Sequence, residues 1–159
     1  MRAAKTPGTF QGMWLAYVDE SGNTGRRLDD PDQPIHWLVA VLVPEDHVLA
    51  LTADLEGVVA RSHPAKPTAE LHGAQLFGGD GDWRGISPAQ RVAAYEAALA
   101  LLAKHDAVVV HSSINKARLW PSDSKATTPH LLALQFLVER VDTYIAGQSD
   151  PLRRRALLV

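Results

Sequence analysis

Asp19 ends a short apolar run, Trp14 to Val18, and is followed by turn-forming residues from Ser21 to Gly25. A carboxylate at a strand end is well placed to hold Mg²⁺ or Mn²⁺ at the rim of a sheet. Two such ions can activate water and stabilise the leaving oxygen in phosphodiester cleavage. Neighbouring side chains on an extended chain point to opposite faces. Asp19 is therefore the first metal ligand expected, and Glu20, Ser21 and Asn23 are supporting or turn-binding groups. The alternative is a capped hairpin turn, with Asp19 or Ser21 bonded to nearby backbone.

Glu70 and His72 are two residues apart and share a face if their segment is extended. A carboxylate beside an imidazole suits Mn²⁺ or Zn²⁺, or a general base next to a metal. The alternative is an exposed pair on a loop. Lys116, Arg118 and Lys125 flank Trp120 and Pro121, a mixture of cations and an aromatic that can grip a nucleic-acid backbone. Solvated loops share that composition, and Arg153 to Arg155 read the same way. Gln135, Glu139 and Asp142 recur at helical spacing as a solvated polar stripe. His36, beside Trp37 in an apolar run, reads as a core histidine. His105, His111 and His130 receive no role.

Other chemistries lack their residues. There are no cysteines, which removes disulfides, thiolate zinc sites and cysteine nucleophiles. P-loop, G-x-S-x-G and H-E-x-x-H patterns are absent. The net charge of −2 argues against coating nucleic acid by charge alone, so such a substrate needs a local basic patch or a bridging metal. No apolar run approaches a membrane span and no secretory leader is visible, so a cytoplasmic, membrane-free protein is expected.

The elements that must position these groups can be read from periodicity. At 159 residues the chain fits one α/β domain, 1–159, with 1–12 as an N-terminal arm. Trp14 to Val18 and Ile35 to Val43 read as strands buried on both faces, paired as a hairpin. Val48, Leu51, Leu55 and Val58 mark a helix that ends near His63-Pro64. Pro67 to Asp82 reads as a short extended piece and then a loop. Ser87-Pro88-Ala89-Gln90 starts a helix with a capping box, and its stripe is Val92, Tyr95, Leu99 and Leu102. Ala107 to Ile114 is a strand. Thr128-Pro129 opens a helix lined by Leu131, Leu134, Val138, Val141 and Ile145, with Gly147 just past its end. The last strand begins near residue 154 and stops with the chain, which suggests a C-terminally truncated fold. The order β-β-α-(β)-α-β-α-β predicts a mixed sheet flanked by helices and is compatible with a ribonuclease H-like arrangement.

Tyr17-Val18-Asp19-Glu20-Ser21-Gly22-Asn23 resembles the signature of a bacterial family, domain of unknown function 3800. Trp37 to Pro44, Glu70-Leu71-His72-Gly73, Ile114-Asn115-Lys116 and the helix from Ala133 to Asp142 follow in that family's order. Family members continue past the last strand seen here, with further acidic residues. The resemblance implies a ribonuclease H-like, nuclease-like site. The expectation is a divalent-metal-dependent phosphodiesterase acting on nucleic acid, with Mg²⁺ or Mn²⁺ at Asp19, Glu70 and His72. The alternative is a non-catalytic module, as a homo-oligomer or with a protein partner, in a larger defence or mobile-element assembly.

Overall fold

The computed structural model describes residues 12–21, 28, 30–119, 128–151 and 154–159. It has an α/β fold with a four-stranded mixed sheet flanked by helices. Contacts divide the chain into two compact units, Met1–Glu45 with Val108–Val159, and Asp46–Ala107.

The first unit contains the sheet. Strands β1 (Met13–Ser21), β2 (Ile35–Pro44) and β3 (Val108–Asn115) form an antiparallel meander, and β4 (Arg155–Leu158) lies parallel beside β1. The order is β3-β2-β1-β4. β1 extends past the apolar run, so Asp19 and Glu20 are paired strand residues opposite Val39 and Leu38. Burial alternates along it: Trp14 and Ala16 are buried, whereas Tyr17 is 40% exposed. The expectation that this strand is buried on both faces is corrected here, because the Tyr17 side is open while the Trp14 and Ala16 side is covered.

That helix, α4 (Pro129–Ala146), lies on one face of the sheet. Pro129, Ala133, Leu137, Val141 and Ile145 are its buried residues. They meet Trp14, Ala16, Leu38, Ala40, Leu42 and Ile114. Thr128 caps its first turn by accepting from the Leu131 N–H, and Ser112 Oγ donates to Ala133 O across 2.6 Å of buried space. Leu131 and Val138, expected on the buried face, are exposed. Leucines, valine and phenylalanine surround this helix, and the i, i+4 row with the smallest member, Ala133, allows the closest approach to the sheet.

The second unit is built on α1 (Val48–Ser62), α2 (Gly73–Gly78) and α3 (Pro88–Lys104). The capping box forms: the Gln90 N–H donates to Ser87 Oγ, and the Gln90 side chain takes the Ser87 N–H. The α3 stripe differs from expectation. Val92, Tyr95 and Leu99 are exposed and Ala94 is buried, because the packed side of this alanine-rich helix uses its small residues.

The predicted extended piece near residue 70 is not a strand. Residues 70–72 are irregular, and the short helix α2 replaces the loop expected after them. Leu76 anchors α2 in the core, Gly79 closes it at φ 72°, and the Arg91 guanidinium takes the carbonyls of Leu76 and Phe77.

Candidate metal centre

Antiparallel pairing puts Glu20 opposite Leu38. His36, two residues before Leu38 on β2, therefore shares the Glu20 face, which is the face α4 covers. Thr128 and Pro129 set where α4 begins, and this places His130 in its first turn above the same end of the sheet. Glu20, His36 and His130 offer one ligand atom each, all within 4.8 Å of one another. His130 Nδ1 lies 3.1 Å from Glu20 Oε2. The His36 and His130 rings are 5.5 Å apart, centre to centre, and tilted by 51°.

Accessibility grades outward through the cluster. His36 is fully buried, whereas the His130 and Glu20 side chains are 35% and 45% exposed. Two imidazoles and a carboxylate can hold a metal ion. Three protein ligands leave coordination positions open, and the exposed rim gives solvent access to them.

The residues expected from sequence fall differently. Asp19 and Ser21 are exposed on β1, and Asp19 is on the opposite face from Glu20. Glu70 and His72 belong to the second unit and are both exposed, and Trp83 Nε1 donates to Glu70 O at 2.7 Å. Lys116 is fully buried at the start of a 3₁₀ turn, and its N–H donates to Pro34 O. This corrects its expected nucleic-acid contact, since a buried ammonium cannot meet a solvent-borne phosphate. Arg118 is exposed. Asn23 and Lys125 lie outside the described residues. Gln135 Nε2 donates to Glu139 Oε1 at 3.0 Å, which accounts for that polar stripe as a solvated helix face.

No family model, curated protein or solved structure matches the chain.

Among the described residues no helix is long and apolar enough to cross a membrane. His36, expected as a core histidine, is buried, and it shares a site with His130, for which the sequence suggests no role. Residues 20, 36 and 130 are distant in sequence, and only the β1–β2 register and the start of α4 bring them together.

A second charged cluster ties α1 to the end of α3. Asp54 Oδ2 lies 2.6 Å from both Lys104 Nζ and His105 Nε2. The hydrogen bond from Lys104, with that from His105 next, holds the Asp54 carboxyl below its ordinary value of 3.8. A depressed carboxylate contributes stability above its unfolded value, and that contribution is lost as pH falls through the folded value. Asp54→Asn is therefore expected to lower stability at neutral pH and to flatten the decline below about pH 4. Asp82, held down by the Lys66 ammonium, leaves a residual acid slope. Urea unfolding from pH 2 to 7 measures this. An unchanged acid profile in Asp54→Asn would remove the cluster from the account.

Proposed function

We propose that this protein is a divalent-metal-dependent hydrolase of phosphodiesters acting on nucleic acid, with its ion held by Glu20, His36 and His130. The observation that carries the reading is the convergence of three ligand atoms from β1, β2 and α4 at one solvent-accessible edge. In this reading water on the ion is the nucleophile, and the ion neutralises charge on the phosphoryl oxygens. The resemblance of Tyr17 to Asn23 to domain of unknown function 3800, and a strand order compatible with a ribonuclease H-like arrangement, favour phosphodiesters over other hydrolysable groups. Asp19, next to Glu20 but on the opposite face, is not a ligand of this ion.

The test is cleavage of labelled DNA and RNA oligonucleotides with Mn²⁺, Zn²⁺ or Mg²⁺, using the parent chain, Glu20→Gln and Asp19→Asn. The expected result is metal-dependent cleavage by the parent and Asp19→Asn and its loss in Glu20→Gln. Loss only in Asp19→Asn would transfer the chemistry to the other face. Absence of cleavage by the parent under every ion counts against the hydrolase.

A second reading, an interaction module, is favoured by apolar side chains exposed on the sheet face opposite α4. Tyr17 is 40%, Trp37 37% and Val109 50% exposed, and cross-strand pairing puts them on that same face. Large exposed apolar patches mark association sites. This reading predicts a defined oligomer by sedimentation, dispersed by Trp37→Glu.

A further inference from the structure

The identity of the ion follows from the donor atoms. Mg²⁺ and Ca²⁺ are hard cations that take oxygen ligands, and Mg²⁺ keeps much of its water shell in an octahedron. The cluster offers two imidazole nitrogens and a single carboxylate. One of those nitrogens belongs to a residue with no exposed surface, seated on the same strand face as Leu38 and Ala40 in the apolar core. An ion reaching His36 must give up water on that side, which Mg²⁺ does reluctantly. Imidazole suits Zn²⁺, Co²⁺ and Ni²⁺, and affinity for nitrogen sites rises from Mn²⁺ to Co²⁺.

We infer that Glu20, His36 and His130 form a nitrogen-dominated transition-metal site, selective for Zn²⁺ or Co²⁺ over Mg²⁺ and Ca²⁺, with Mn²⁺ intermediate. This rests on the metal reading above and changes the ion that reading would use.

The arrangement has a division of labour. His36 is the fixed floor, because its strand is hydrogen-bonded on both sides to β1 and β3. Glu20 neutralises part of the ion's charge. It also offsets the positive end of α4, which disfavours a cation beside His130. His130 is the ligand on the helix, so binding ties α4 to the sheet. Without metal, the Glu20–His130 contact is half-exposed to water and contributes little by itself.

The experiment uses the untagged full chain after chelator treatment. Titration calorimetry with ZnCl₂, MnCl₂ and MgCl₂ is paired with Co²⁺ visible absorption. The parent, Glu20→Gln and His130→Ala are compared, with circular dichroism to establish folding. Because His130 is partly exposed on a helix, His130→Ala tests the site even if a His36 variant fails to fold. The expected result is one equivalent of Zn²⁺ and of Co²⁺, weaker Mn²⁺ and no saturable Mg²⁺. Both variants should lose more Zn²⁺ affinity than the about 10–100-fold seen on removing a supporting contact. Mg²⁺ binding as tight as Zn²⁺, lost in the variants, would overturn the selectivity and leave the hydrolase reading standing. Zn²⁺ binding unchanged in both variants would assign the ion to other histidines and overturn the inference. Failure of every ion to bind would overturn the inference and the metal-dependent hydrolase together.

Discussion

Trp83→Ala is expected to destabilise the second unit by about 3–5 kcal/mol, the usual cost of emptying a buried aromatic site. Trp83 has no exposed surface and packs with Val58, Leu76 and Ala94, with Leu71, Ile86 and Leu101 around them. Its indole N–H also holds the Glu70 carbonyl, and the His63 ring lies 5.7 Å from it. The substitution leaves a cavity and removes the donor to that carbonyl. Domains carry only about 5–15 kcal/mol in total, so a loss of this size is a large share. Trp83→Phe separates the two contributions. It keeps most of the buried area and forfeits the hydrogen bond, worth about 1 kcal/mol. Denaturant unfolding gives both values, and hydrogen exchange locates them: protection should fall in α1 and α3. A Trp83→Ala variant within about 1 kcal/mol of the parent would show that the residues around it collapse to fill the space.

The same residue shows why part of the fold was legible and part was not. Local chemistry announced itself. Ser87 to Gln90 states a capped helix start, Thr128-Pro129 states another, and the apolar runs at Trp14 and Ile35 state strands. The α2 helix did not, because Gly73-Ala74-Gln75-Leu76-Phe77-Gly78 is too short and glycine-bounded to have a period. Its cause is tertiary: Leu76 in the core beside Trp83, and Arg91 on its last carbonyls.

The buried helix faces are not legible in side-chain size for a related reason. Large side chains such as Val92, Tyr95, Leu131 and Val138 dominate the apolar periodicity, whereas close packing uses Ala94 and Ala133. The candidate metal centre is the extreme case. Glu20 stands next to Asp19 in sequence, and the apolar run around His36 marks it as a core residue. His130 had no local signal, and what unites them is a strand register and a helix start more than ninety positions away.

Leu137→Ala should have the next largest effect, about 2–5 kcal/mol. It joins a stability measurement to the site. Leu137 is fully buried in the row Pro129, Ala133, Leu137, Val141 and Ile145, which seats α4 on the sheet. The same seat places His130 over His36 and Glu20. A ligand that binds only the folded chain adds stability, about 2.7 kcal/mol when present at 100 times its dissociation constant. Zn²⁺ should therefore raise the unfolding midpoint of both parent and Leu137→Ala. The increment should be smaller in the variant, because an α4 free to shift holds His130 less well in line with its partners. In Leu137→Ala combined with Glu20→Gln the Zn²⁺ increment should vanish while the cavity cost remains. Unfolding curves with and without Zn²⁺ on these chains check this. A Zn²⁺ increment that survives loss of Glu20 would detach metal binding from the seating of α4. An increment equal in parent and Leu137→Ala would mean that His130 keeps its place without tight packing beneath it.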